Sequence, residues 1–331
     1  MSIGIAIIGS GIFAREEHLP ILLNQNNQHK HPFTLKALYS RTLKSAEALL
    51  ASVKTPKEAA ADAVRKIDVY AEDAGEGRTY EDLLGREDVM AFVIALPIPT
   101  QPPYILRALT AGKHVLSEKP IAGDLRTARE MVSFYEALSP SPSPSQPSET
   151  NGTIQSTDEN DNNDNNNNNN KKKKPLWAVA ENHRFLTKYH LAATEVRKLG
   201  RVKGLRVLVR SYIGEGSKYH QTPWRRHPTH IGGFLLDGGV HIIAALRLIL
   251  SATSDAITTV SGMTSLHRPH LHPMDTLDAI VRTRSGATGT ISLCYGSQGG
   301  STSLFEIVCE RGVVTLDGDW VRVDGEEGVE V

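Results

Sequence analysis

At 331 residues the chain is long enough for two domains, and 40% hydrophobic residues supply a real core. Lys+Arg and Asp+Glu both number 37, so a formal net charge of zero gives no bulk electrostatic reason to expect nucleic acid or an anionic membrane as partner. The two cysteines, Cys294 and Cys309, sit in apolar strand-like runs, which suits reduced core thiols better than a disulfide framework, with a pairing between them left open. The N-terminus has no basic stretch followed by a long apolar core, and no uncharged apolar run approaches the ~20 residues of a membrane span. A soluble, cytoplasmic protein with neither a nucleic-acid nor a membrane partner is the expectation.

Ile3-Gly4-Ile5-Ala6-Ile7-Ile8 is a continuous apolar run, the pattern of a parallel strand covered on both faces. It leads into Gly9-Ser10-Gly11-Ile12-Phe13-Ala14, a G-x-G-x-x-A turn, and then a helical stretch to about Leu23 that Pro20 kinks or tightens. In such a turn Gly9 permits the bend, Gly11 lets the backbone approach a pyrophosphate, and Ala14 keeps helix and strand close. The free N–H groups of the helix start, at Ile12 and Phe13, then face the phosphates. The second strand, residues 33–39, ends in Ser40-Arg41-Thr42. A carboxylate there would hold the ribose hydroxyl of NAD and repel a 2′-phosphate, whereas a hydroxyl and a guanidinium welcome one. NADP(H) is therefore the preferred cofactor and NAD(H) the second choice; Arg41 as a plain solvated charge is the competing reading.

Residues 43–50 read as a helix, and an alanine-rich helix follows at 58–66 beyond Pro56. Strands are expected at 67–70, 91–96 and 113–117, with helices at 80–84 and 104–111. The strand ending at Leu96 stops at Pro97, a stiff loop at the carboxyl edge where open α/β sheets bind ligands. The next strand delivers Glu118-Lys119-Pro120 to the same edge. Asp124 caps a helix reaching about Leu138. Composition then changes: 139–147 is nearly all Ser and Pro, 160–170 is entirely Asn and Asp, and 171–174 is a lysine run. Such a segment buries too little apolar area to order itself, so 139–174 reads as a disordered insertion with solvated lysines.

One more apolar strand at 176–180 ends in Glu181-Asn182-His183-Arg184-Phe185. After a helix at 187–199, stopped by Gly200, strands at 205–212, 276–283, 288–295, 304–310 and 313–316 look like antiparallel partners joined by hairpins. Between them lies Gly232-Gly233-Phe234-Leu235-Leu236-Asp237-Gly238-Gly239-Val240-His241, followed by an apolar helix. If the helix begins near Asp237, Asp237 and His241 share one face. Read alone, Asp237 is a helix cap and His241 a core residue. His267, His270 and His272 flank Pro269 and Pro273 in an irregular loop without ligand spacing, so no metal is expected. The fold class is α/β: residues 1–138 and 175–185 form a Rossmann domain with a doubly wound parallel sheet. Residues 186–331 form an α+β domain with a large, mostly antiparallel open sheet.

Gly9-x-Gly11-x-x-Ala14, the run from Gly112 to Pro120, Asn182-x-Arg184-Phe185 and Gly233-x-x-x-Asp237-x-Gly239-x-His241 occur in that order. Together they resemble the glucose–fructose oxidoreductase / inositol dehydrogenase / MocA-like (Gfo/Idh/MocA) family over nearly all the chain except 139–174. Leu96 to Gln101 and Trp224-Arg225-Arg226 look like a fungal NADP-dependent branch. The resemblance implies hydride transfer between a nicotinamide and a sugar, polyol or related carbonyl compound, with homo-oligomerisation through the C-terminal sheet. It carries Lys119, Asp237 and His241 over as catalytic positions. Chemically, His241 has the titration range of the proton acceptor, Asp237 orients or charges the site, and Lys119 donates to the substrate oxygen. The cofactor set is Gly9, Gly11, Ile12, Phe13, Ser40, Arg41, Pro97, Glu118 and Lys119. Asn182 and Arg184 are read equally as substrate contacts and as braces; Trp224, beside Tyr219 and Arg225, closes over substrate or packs. The glycines around Asp237 and His241 are read as room for substrate and nicotinamide. Two departures stand out: Gln101 replaces a histidine common in the family, and the chain stops at Val331 where relatives continue, as a shortened branch or an incomplete sequence would. A dinucleotide-sensing regulator without turnover, and more weakly a glycosidase with tightly held NAD, are the alternatives.

Overall fold

The computed structural model describes residues 2–23, 32–53, 66–138 and 174–325. The alanine-rich segment up to residue 65 and the low-complexity residues 139–173 lie outside the described residues. The first sheet contains β1 (Ile3–Ile8), β2 (Phe33–Ser40), β3 (Asp68–Ala71), β4 (Ala91–Ile94), β5 (His114–Ser117) and β6 (Trp177–Val179). Their order is β3-β2-β1-β4-β5-β6 and every pair is parallel. The strand order reverses beside β1, and such a switch point opens a crevice at the carboxyl edge. The apolar run of β1 is buried as its composition requires, with Ala6, Ile7 and Ile8 fully covered.

Two local differences from expectation have simple causes. Residues Ala14–His18 form a π-turn ahead of the α-helix Leu19–Leu23, and the Leu19 N–H reaches back to the Ala14 carbonyl. Pro20 has no N–H with which to continue an α ladder, so the helix widens instead of tightening. The helix after β4 spans Gln101–Thr110, starting earlier than residue 104. Pro102 and Pro103 sit in its first turn, where the missing N–H groups have no intrahelical acceptor to lose.

The second sheet comprises β7 (Val202–Arg210), β8 (Ile257–Ser265), β9 (Thr276–Thr283), β10 (Thr288–Cys294), β11 (Thr302–Cys309), β12 (Gly312–Asp317) and β13 (Trp320–Gly325). Its order is β13-β12-β11-β7-β10-β9-β8. All neighbours are antiparallel except β7 and β10, which are parallel rather than the antiparallel partners expected. The chain leaves β7, crosses back through the helix Gly233–Ser251, and meanders inward from β8, so β10 enters in the direction of β7. Edge strands β8 and β13 escaped the sequence reading; β8 is exposed along almost its whole length and carries Thr, Ser and Gly262 rather than an apolar alternation.

The helices Thr187–Leu199 and Gly233–Ser251 pack together against one face of this sheet. By length and composition the second could cross a membrane. Its Ile242, Ala245, Leu246, Ile249 and Leu250 are instead the buried centre of the second core. The helix starts at Gly233, not at Asp237, because Gly233 adopts φ +48° at the entry turn. Asp237 therefore lies inside the helix and is not its cap. A Cβ on Gly238 would stand 2.7 Å from the Tyr295 hydroxyl, and one on Gly239 3.2 Å from Leu293 Cδ1. These glycines let the helix sit close on β10 and its continuation; the expectation that they clear room for ligand is corrected.

Candidate active site

A cleft of about 480 Å³ runs along the carboxyl edge of the first sheet and is closed on one side by the second domain. Gly9 to Phe13, Ser40, Arg41, Pro97, Glu118 and Lys119 line it from the first domain; Thr222 to Arg225 and Asp237 line it from the second. Every cofactor position named from the sequence is thus in one wall. Gly9 has φ +116°, and a Cβ there would collide with the Ala95 carbonyl. A Cβ on Gly11 would meet nothing within 4 Å, so the backbone is open to the cleft where a pyrophosphate has to come close. The Ser40 hydroxyl is buried and bonded to Ser10 Oγ at 2.8 Å, while Arg41 is exposed at the cleft edge. This cradle fits a dinucleotide.

Lys119 follows β5 and projects into the centre of the site. Its Nζ donates to Asp237 Oδ1 at 2.9 Å and to the Asp237 backbone carbonyl at 2.8 Å. An ammonium has three protons, so one remains for a substrate oxygen. Glu118 is not its ion partner; Glu118 Oε1 accepts from His18 Nε2 at 2.8 Å. Arg225 Nε donates to the other Asp237 oxygen, Oδ2, at 2.7 Å, and the guanidinium stacks 4.0 Å over the Trp224 ring. Burial alone would raise the Asp237 carboxyl, but the Lys119 and Arg225 charges outweigh it and hold the group below the usual carboxylate range. Asp237 is therefore a fixed anion with both oxygens taken, an anchor for Lys119 rather than a proton acceptor.

His241, one helical turn on, meets a residue the sequence reading did not single out. Its Nδ1 donates to Glu181 Oε1 at 2.7 Å, and its ring stacks on His183 at 4.5 Å between centroids. Glu181 also accepts the His183 backbone N–H at 3.0 Å. Burial pushes the Glu181 carboxyl up, but the hydrogen bond and charge of His241 prevail and leave it lowered. Burial, then the neighbouring His241, push His183 down to about 4. Among the described residues, Glu181, His183 and His241 also bring possible metal-ligand atoms within 4.8 Å of one another.

Trp224 lines the cleft, whereas His241, Asn182 and Arg184 are not part of its lining; Asn182 and Arg184 are exposed on the 3-10 turn Asn182–Phe185. The position near which family members carry histidine has a structural occupant: buried Gln101 donates to the carbonyls of Glu118 and Pro120, bracing the turn that carries Lys119. The histidines of the 267–272 loop each hold a neighbour. His267 Nε2 pairs with Ser265 Oγ, His270 Nε2 with the Ile213 carbonyl, and His272 Nε2 with the Arg226 carbonyl. Glu181 carried no signal of its own in sequence and is read only through His241; Arg225 was legible as part of a loop motif beside Trp224, but its bond to Asp237 was not.

Comparison with known proteins gives two matching family models. Residues 3–139 match the oxidoreductase family with NAD-binding Rossmann fold, and residues 192–315 match the GFO/IDH/MocA C-terminal domain. The dehydrogenase FPY6 of Fusarium mangiferae is 37% identical over 314 residues, covering 94% of this chain and 76% of that protein. A dTDP-3,4-didehydro-2,6-dideoxy-alpha-D-glucose 3-reductase of Streptomyces violaceoruber is 26% identical over 241 residues, 72% of this chain and 57% of the reductase. The crystal structure of an oxidoreductase from Thermotoga maritima superposes with a TM-score of 0.73 at 29% identity, covering 100% of this chain and 83% of that one.

Proposed function

The chain belongs to the Gfo/Idh/MocA family and is an NAD(P)-dependent oxidoreductase; on that premise we propose that it uses NADP(H) to interconvert an alcohol and a carbonyl on a sugar, polyol or related compound, with Lys119 and His241 handling the substrate oxygen and its proton. The observation that carries this reading is the meeting of Lys119, from the nucleotide-binding domain, with Asp237, from the second domain, at the inner end of the cradle.

A bound nicotinamide supplies or takes the hydride. The rest falls to the chain's own groups. Lys119, anchored through two of its protons, points the third at the substrate oxygen and favours negative charge there. His241 has Nδ1 engaged by Glu181, so Nε2 is the atom that takes the hydroxyl proton in oxidation or returns it in reduction. Asp237 keeps Lys119 in place and offsets one of the two positive charges beside it. Trp224 and Arg225 cover the cleft from the second domain and limit water. The exposed Arg41 beside Ser40, with no carboxylate at the end of β2, supports NADP(H) over NAD(H). The sugar-reductase relative supports a carbohydrate-like carbonyl substrate. In this reading the enzyme works in the reducing cytoplasm, where Cys294 and Cys309 stay free thiols. A second copy docks on the open face of the second sheet, where Met263, Ile280 and Trp320 are exposed.

The test mixes purified protein with NADPH and a panel of aldoses, ketoses, dicarbonyls and aldehydes, following cofactor oxidation by absorbance. Turnover that Lys119→Ala and His241→Ala abolish is the expected result. Full activity in either variant refutes its assigned role, and tight dinucleotide binding without turnover on any compound favours the regulatory alternative.

A further inference from the structure

Glu181 is a buried carboxylate with one oxygen engaged twice and the other, Oε2, without a partner among the described residues. Burying a charge is expensive, and packing alone gives no reason to keep an acid here. What the acid does is fix an imidazole. The 2.7 Å contact to His241 Nδ1 sets the ring's rotation. The His183 ring, 4.5 Å away at 26°, sets its tilt, and His183 is in turn stacked on Tyr189 at 5.6 Å. A carboxylate at Nδ1 holds the proton on that nitrogen and leaves Nε2 bare.

We propose that Glu181 is a positioning residue for His241, and that the two form a proton-handling dyad spanning both domains. The proposal rests on His241 being the proton-transfer group. In oxidation the substrate O–H bond breaks, its proton goes to Nε2, and the ring becomes an imidazolium whose charge Glu181 balances. In reduction Nε2–H returns that proton to the oxygen. The dyad accounts for the cluster better than a metal ion does. The 2.7 Å contact commits Glu181 Oε1 and His241 Nδ1 to each other and leaves no room for an ion between them.

The first readout needs no substrate. In protein labelled with ¹⁵N-histidine, with His241→Asn giving the assignment, neutral His241 should show the Nδ1–H tautomer, and Glu181→Ala should lose it. An Nε2–H tautomer in the unmodified protein, or an unchanged tautomer in Glu181→Ala, overturns the proposal. The second readout is kinetic, with NADPH and D-glyceraldehyde or the best substrate of the panel. The isosteric Glu181→Gln keeps the shape and removes the charge, and should lower kcat about 10–100-fold with KM within about threefold. Glu181→Asp should recover part of that loss. A merely structural Glu181 would leave Glu181→Gln at full kcat, and that result overturns the proposal while the loss of activity in His241→Asn still stands. An active His241→Asn would instead remove the reading beneath it. Stoichiometric zinc binding by the protein, abolished in His183→Ala, would replace the dyad with a metal site.

Discussion

Asp237→Asn perturbs the junction on which the cleft depends. Lys119, Arg225 and Asp237 side chains are 8%, 10% and 7% exposed, so two cations share one anion almost out of water. Asparagine keeps the volume but offers one acceptor oxygen and turns an N–H₂ toward a cation. Removing one member of a buried ion pair costs about 3–5 kcal/mol, because the remaining charge is left uncompensated. Loss of one charged hydrogen bond, about 1.5–3 kcal/mol, accounts for much of that. The denaturant midpoint should fall by the corresponding amount at unchanged m-value. Lys119 loses its charged partner and keeps the backbone carbonyl, so kcat/KM should fall about 100-fold or more. Arg225→Leu combined with Asp237→Asn should cost less than the sum of the two single changes by about 0.5–3 kcal/mol, since each removes the other's partner. The pH dependence follows from the lowered Asp237 carboxyl. A carboxyl depressed by folding contributes stability that is complete above its unfolded value, ~3.9, and lost as pH falls through the lower folded value. The variant's deficit should thus be flat across neutral pH and shrink only in acid below about pH 4. An unchanged midpoint together with unchanged kcat would refute the reasoning, because the triad would then hold neither the fold nor the lysine.

Arg41→Ala should raise KM for NADPH by about tenfold or more while leaving NADH little changed, read from initial rates with each cofactor; equal effects on both would remove the 2′-phosphate assignment. Gly238→Ala should lower the thermal midpoint, since its Cβ lies 2.7 Å from the Tyr295 hydroxyl, with roughly 1–3 kcal/mol of overpacking exceeding about 1 kcal/mol of helix preference. Gly239→Ala meets only Leu293 Cδ1 at 3.2 Å and should be neutral or stabilising; in both variants an altered substrate KM would restore a ligand-clearing role. His183, with its value pushed from 6.5 to about 4, is folded in its neutral form, so the unfolded chain binds the proton more readily between those values. Its share of stability is complete above pH 6.5 and should decline as pH falls toward 4, a slope that His183→Gln should flatten.

The first sheet was legible because parallel strands are buried on both faces, which leaves uninterrupted apolar runs such as Ile3–Ile8 and residues 91–94. Strand β8 was invisible for the opposite reason: an exposed edge imposes little composition. Lys119 and Asp237 could be singled out in the sequence because each sits in a local motif. Glu181 was not, because its meaning lies in His241, and only folding brings the two within 2.7 Å. Asp237 among glycines imitates a helix cap, and only the φ +48° turn at Gly233 moves the helix start upstream and the acid inside.

Those particulars share one geometric cause. Ser117 and Val179 are paired neighbours on β5 and β6. Lys119 and Glu181 each stand two residues beyond that pair, so adjacent strands present a cation and an anion side by side. Adjacent strands are about 4.8 Å apart, and residues i and i+4 of a helix are about 6 Å apart along its axis. Asp237 and His241 are four residues apart on the helix Gly233–Ser251 and meet Lys119 and Glu181 respectively. Strand spacing and helix rise therefore match closely enough for both pairs to form at once. The two contacts join the second domain to the first and set the four side chains in the same act. A shift of the helix by one residue would turn its side chains by about 100° and break both pairs together. The Asp-x-x-x-His spacing is thus a docking register, which is why it is informative only beside the strand ends it faces.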